Sequence, residues 1–152
     1  MKRKLVAAAV ALALGAGVAA TARAQVKPEV LVKQRQSALT LLGKYFGPLG
    51  GMLKGAVPFD AAVVARNAGY LEVLAKMPWD GFAEGTKGEK SHALPAVWSD
   101  AAKFKQAQDH LQTAVASLVT VSKGGDEAKT KAAIGDVGKA CGGCHDNFRE
   151  KR

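Results

Sequence analysis

Aromatic residues are scarce in this chain. Five phenylalanines, two tryptophans and two tyrosines make up 6% of its 152 residues. A core must therefore be built mainly from Ala, Val and Leu, which suits closely packed helices better than a β-sandwich. Cysteines number only two. That excludes a disulfide-dense mini-protein and leaves no second pair to complete a zinc site. Hydrophobic residues at 48% and charged residues at 23% exclude a disordered chain, and no collagen-like repeat is present. Acids are outnumbered by bases, 13 to 22.

Part of that imbalance is local. Met1, Lys2, Arg3 and Lys4 make a basic start, residues 5–22 carry no charge, and Ala22-Arg23-Ala24 is a small-x-small cleavage site. This is the layout of a secretory signal peptide. A transmembrane anchor is the rival, since the run approaches the about 20 residues a span needs. Its Ala-rich make-up, Gly15, Gly17 and cleavable end favour removal. Residues 1–24 are thus expected to be a cleaved leader and 25–152 a single exported domain. The leader holds four bases (Lys2, Arg3, Lys4 and Arg23) and no acid, which leaves 18 bases against 13 acids, a net +5 rather than +9. Spread along the chain without a basic stripe, that charge gives no nucleic-acid footprint. It suits a solvated surface that guides an acidic partner.

Four helices are legible. The first starts near Pro28, with Glu29 in its first turn and apolar Val32, Leu39, Leu42, Tyr45 and Phe46 at helical spacing. Gly47-Pro48 and Gly50-Gly51 are expected to bend or end it. Asp60 caps the second, which carries Val63, Val64, Tyr70, Leu71, Val73 and Leu74 and stops by Pro78. Residues 78–94 read as a long irregular connection, of the kind that often carries function. Ser99 or Asp100 caps the third helix, with a stripe of Phe104, Leu111, Val115, Leu118 and Val119. Asp126 caps the fourth, which shows Ile134, Val137, Cys141, Cys144 and Phe148 on one side. Residues 117–121 are strand-like in composition, but one such piece has no partner. The fold class is all-α: an antiparallel four-helix bundle with one long crossover.

Both cysteines lie in Cys141-Gly142-Gly143-Cys144-His145. Cys-x-x-Cys-His is the attachment signal for c-type haem. On a helix Cys141 and Cys144 sit about 60° apart and His145 about 40° from Cys141, so two thiols can meet the two vinyl groups of one porphyrin while the imidazole addresses its iron. Gly142 and Gly143 cost roughly 1 kcal/mol each against Ala, and a flat macrocycle against the backbone supplies an offset. A disulfide across so short a loop gains little. A thioredoxin-type pair would need a βαβ setting that is missing. The motif stands seven residues before Arg152, so any second iron ligand would have to come from upstream, and none is favoured. Beyond the leader the candidates are Met52, Met77, His92 and His110. The methionines read as core filler and His110 as a surface or rim residue; His92 reaches iron only if its loop folds inward. An iron with no protein ligand on its distal side would be open to small gases.

Taken together these residues resemble the cytochrome c′ family of four-helix-bundle cytochromes with C-terminal haem attachment. The likeness covers residues 25–152 and rests on Arg35-Gln36-Ser37-Ala38-Leu39, Pro78-Trp79-x-x-Phe82, Trp98-Ser99-Asp100, Phe104-Lys105, Asp136-Val137-Gly138 and Cys141-x-x-Cys144-His145-Asp146 with Phe148-Arg149. It implies that Cys141 and Cys144 hold haem c covalently and that His145 is the axial ligand. Arg35 and Gln36 would contact the propionates, with Glu89 at the haem edge. Leu39 would cover the open iron face, Trp79 and Phe82 would wall the pocket, and Arg149, one turn past His145, would stand beside the axial ligand. Read without the likeness, Arg35 and Gln36 equally fit an exposed helix face, Leu39, Trp79 and Phe82 plain core, and Arg149 a base at a helix end. The family usually forms a homodimer through its first helices. Its low-spin relatives carry an early methionine in the first helix, where this chain offers Leu39.

The resulting expectation is a periplasmic, non-enzymatic haem protein with five-coordinate, high-spin iron. It would transfer one electron to an unidentified redox partner and bind nitric oxide and carbon monoxide, without nucleic acid and without a membrane span in the mature form. Two alternatives stand beside it. One is a six-coordinate, low-spin electron carrier ligated by Met52 or Met77. The other is a small haem enzyme, a peroxidase or a nitric-oxide-consuming one.

Overall fold

The computed structural model describes residues 26–151; the expected leader and Arg152 lie outside the described residues. Five helices follow in order: α1 Pro28–Leu53, α2 Ala61–Leu74, a single turn α3 Ala96–Ser99, α4 Ala101–Ser122 and α5 Glu127–Phe148. The four long ones form an antiparallel bundle in which each packs on the next and α5 returns to α1. Among the described residues no helix is long and apolar enough to cross a membrane.

The starts follow the sequence signals. Asp60, Asp100 and Asp126 each accept a hydrogen bond from the backbone N–H three residues on, at 3.0, 3.3 and 3.0 Å. Such caps satisfy amides that the first helical turn leaves free. Pro28 opens α1 without a side-chain cap. Residues 117–121 are helical, as part of α4.

The end of α1 departs from the expectation. The helix does not stop at Gly47-Pro48 or Gly50-Gly51 but continues to Leu53. An interior proline costs about 3 kcal/mol. The offset is packing: Leu49 and Met52, just past it, are 0% and 5% exposed and join Val64, Leu71, Val115, Leu118, Ile134 and Val137 in the core. Local breaker signals lose where tertiary burial on both sides is this complete.

The crossover between α2 and α3 is not wholly irregular. It contains two 3₁₀ turns, Trp79–Phe82 and Glu84–Thr86. It lies as a strap across the end of the bundle, tied down at α1. Arg35, only 2% exposed, donates to Gly81 O, to Thr86 Oγ1 at 3.1 Å and to Ser91 Oγ at 2.8 Å. Its guanidinium lies 4.4 Å from the Phe82 ring centroid, within cation–π range. A Cβ on Gly81 would come to 2.5 Å from Arg35 Cβ and 2.8 Å from Leu31 O, so strap and helix approach only because residue 81 has no side chain.

Gly81→Ala should therefore destabilise the protein by about 1–3 kcal/mol through overpacking. Gly85→Ala, with nothing within 4 Å of the added atom, should stay within about 0.5 kcal/mol. Chemical denaturation midpoints of the two variants check this; equal midpoints would refute the close-approach account.

Candidate haem site

Cys141, Cys144 and His145 lie on the unbroken part of α5, so the angular arrangement expected from their spacing holds. Both cysteines are partly buried and are not joined in a disulfide. Burial pushes both thiols up; for Cys144 the neighbouring Cys141 adds to this and Arg149 opposes it. The imidazole of His145 is pulled below its ordinary value, first by burial and then by the charge of Arg149, with Asp146 acting the other way. A lowered value keeps the imidazole neutral, the form that binds a metal.

The register of α1 against α5 decides what faces His145. Phe46 Cζ lies 3.4 Å from where a Cβ on Gly138 would be, and Leu53 Cδ2 lies 3.8 Å from the same point on Gly135. The two helices thus run antiparallel with Phe46 level with Gly138. Leu39 is seven residues before Phe46, and His145 is seven after Gly138. Each step is about 10 Å along the axis and returns to within about 20° of the same face. Leu39 and His145 therefore stand at one height on the facing sides of α1 and α5. Leu39 is 38% exposed although it shares the inward stripe of Leu42 and Phe46, and a Cβ on Gly142, about 60° round α5 from His145, would meet nothing within 4 Å. The helices touch at Phe46–Gly138 and leave room above it, between an imidazole and a leucine.

Arg35 lies one turn beyond Leu39. It is buried rather than on an exposed face, and among the described residues no carboxylate pairs with it. Burial lowers its pKa. Gln36 is exposed, its carbonyl bonded by Thr40. Phe82 stacks on Arg35 and meets Phe104 at 4.9 Å, which meets Phe148 at 5.2 Å. Trp79 joins at 6.3 Å from Phe82 and donates Nε1–H to Ala75 O at 2.7 Å. These rings link the strap to the end of α5. Glu89 is partly buried on the strap, with only its backbone N–H bonded, to Thr86 O.

Arg149 differs from the sequence expectation. It donates its backbone N–H to His145 O at 3.2 Å, but it is the helix C-cap, with extended φ −129° and ψ 138°. It adjoins His145 from outside the helix, because strap residue Ala93 bridges to it. Of the alternative ligands, Met52 is buried in the core, thirteen residues and about 20 Å along α1 from Leu39. Met77 is 57% exposed. His92 hydrogen-bonds Glu150 through Nδ1 at 2.9 Å. His110, exposed as expected, borders an open groove of about 410 Å³ with Lys103, Gly143, Asn147 and Phe148. That groove is not the site: Gly143 and Asn147 are each about 160° round α5 from His145. Sequence reasoning missed Gly81, Thr86 and Ser91 as partners of Arg35. They lie 46 to 56 residues away, and no local pattern marks them.

Two thiols and a neutral imidazole on one helix face, a leucine opposite and a buried unpaired cation at the rim form a donor set that fits haem c with its two carboxylates. Comparison with known proteins agrees. The family model described as Cytochrome C' matches residues 30–149. Cytochrome c′ of Rubrivivax gelatinosus is 48% identical over 126 residues, covering 82% of this chain and 98% of the relative. Its 1.3 Å crystal structure superposes with a TM-score of 0.78. Two structures of variant cytochrome c prime from Alcaligenes xylosoxidans are 44% identical and cover 98% of those chains. One is a nitric oxide complex, covering 84% of this chain at TM-score 0.77. The other, bound to carbon monoxide, covers 83% at 0.76. The chain belongs to the cytochrome c′ family, whose cofactor is haem c.

Proposed function

We propose that the protein is an exported cytochrome c′ that carries one electron and binds nitric oxide and carbon monoxide at ferrous, five-coordinate haem. Residues 1–24 would be removed on export to the periplasm, leaving 25–152 as the haem domain. The observation that carries this reading is the register that sets Leu39 opposite His145. The inward residues of that part of α1 are Arg35, Leu39, Leu42 and Phe46, and none offers sulfur or imidazole to iron.

When bound, the haem supplies an iron that cycles between ferric and ferrous and takes a diatomic gas. Cys141 and Cys144 would hold it by thioether bonds, and His145 would bind its iron. Leu39, on the facing side of α1, would crowd a ligand approaching the iron and offers it no hydrogen bond. Arg35 supplies the buried positive charge that a propionate answers, with Gln36 and Glu89 at the haem edge. Trp79 and Phe82 close the strap side, and Arg149 adds positive charge beside His145. The gas complexes of the Alcaligenes relatives support gas binding here. A methionine-ligated carrier is disfavoured by the about 20 Å between Met52 and the level of Leu39. An efficient peroxidase would want an acid–base group on the distal side, where Leu39 stands. The protein is accordingly not an enzyme in this reading. Its electron partner is one that tolerates a basic surface, and no nucleic acid is involved.

Homodimerisation through the first helices fits the outer face of the α1–α2 pair. Val30 and Leu41 on α1 and Tyr70 and Val73 on α2 are 38%, 39%, 46% and 55% exposed. Tyr70 packs on Tyr45 with ring centroids 4.7 Å apart, so the apolar residues of the two helices are contiguous, and a self-complementary patch of this kind suits a two-fold dimer.

Electron paramagnetic resonance of the ferric protein should show a high-spin signal; a purely low-spin spectrum would overturn the open-face reading. Leu39→Ala should speed carbon monoxide binding to the ferrous protein about tenfold or more, the effect of removing about 1.4 kcal/mol of steric barrier. Unchanged kinetics would count against Leu39 as the gate. Leu41→Glu should sediment as a monomer at concentrations where the parent protein sediments as a dimer.

A further inference from the structure

The end of α5 is held by the strap. Leu94 donates its backbone N–H to Phe148 O at 3.0 Å, and Glu150 donates its own to His92 O at 2.9 Å. These two bonds flank the antiparallel bridge between Ala93 and Arg149. His92 Nδ1 then bonds Glu150 Oε2 at 2.9 Å, closing a side-chain lock over the backbone one. Arg149 is caught between them in a strand conformation, while its N–H still reaches back to His145 O.

An arginine four residues past a histidine on a continuing helix would extend along the helix surface. Here the strap turns the chain out of the helix at residue 149, so the strap fixes the backbone from which the Arg149 side chain departs. That placement matters for the site: the Arg149 N–H bonds His145 O at 3.2 Å, so the charged residue leaves the helix from the turn that carries the imidazole. At its other end the strap is fastened to α1 through Arg35, so the support is anchored rather than loose.

We propose that strap residues 92–94, locked by the His92–Glu150 pair, are positioning residues for the axial-ligand side of the haem: they hold Arg149 extended beside His145 and thereby set the electrostatic environment of the ligating imidazole. This rests on the reading of His145 as the iron ligand. His92 and Glu150 touch neither iron nor haem in this account; they act through Arg149.

The test uses the haem-loaded protein in four forms: parent, Glu150→Gln, Arg149→Ala and the double variant. Amide hydrogen exchange reads the bridge directly. Exchange at Leu94 and Glu150 should speed up about two- to fivefold in Glu150→Gln, the scale of an exposed ion pair. The iron–imidazole stretching band of the ferrous protein, read by resonance Raman, should shift in Glu150→Gln and Arg149→Ala. Adding Glu150→Gln to Arg149→Ala should shift it no further, because both act through one group. His92→Lys, whose ammonium can still donate to Glu150, should keep both the exchange rates and the band at parent values. A band unmoved in Glu150→Gln while exchange quickens would overturn the proposal and leave the strap a purely structural tie; additive shifts would equally overturn it. Absence of any iron–imidazole band in the parent would instead sink the assignment of His145, a failure separate from that of the strap.

Discussion

The contact of Phe46 with Gly138 sets everything else. A glycine at that point of α5 lets the ring of α1 approach to 3.4 Å of where a side chain would begin, closing the two helices onto each other there. Above the contact they diverge enough to leave Leu39 and His145 only partly covered. Because helical rise and twist are fixed, one contact fixes the register of every residue above it. The leucine stands level with the imidazole not because either attracts the other but because each lies two turns from the same clamp. In the proposed reading, what faces the iron is thus decided about 10 Å away, by a ring and a missing methyl group.

The second constraint is a charge in the wrong place for stability. A guanidinium at 2% exposure has given up most of its water, and a buried ion is costly unless its donors are answered. Arg35 finds a carbonyl, two hydroxyls and an aromatic face, but no carboxylate among the described residues. Neutral acceptors satisfy hydrogen bonds without neutralising charge. A residue chosen only to fasten the strap would not need to be cationic, so the retained charge argues for an anionic group close by, as the two carboxylates of a haem would be. One side chain then serves the strap and the cofactor together.

Much of this was legible from the sequence because the signals are local. Three aspartate caps, the Pro28 start and the Cys141-x-x-Cys144-His145 spacing each depend on residues within one helical turn, and all appear where expected. What failed was equally physical. Gly47-Pro48 and Gly50-Gly51 look like a helix end, but burial of Leu49 and Met52 outweighs the breaker. Arg35 fits an exposed face by local pattern, and its burial is set by Gly81, Thr86 and Ser91 some fifty residues away. Arg149 was placed by helical spacing, whereas a strap more than fifty residues earlier in the chain draws it into an extended state. Long-range contacts of this kind leave no period in the sequence to read.

The division of labour between the two sides of the site follows from these facts. The α5 side is built from polar and charged groups held at several points: an imidazole on a continuous helix, an arginine outside it and a strap that bonds to both backbone neighbours of that arginine. The α1 side offers a single aliphatic side chain with room around it. Water and anions gain nothing from a wall without hydrogen-bond donors, whereas a small apolar gas loses nothing there. With haem held as proposed, selectivity among iron ligands would arise on the leucine side by what is missing, while the electronic character of the iron would be tuned on the histidine side by what is held in place.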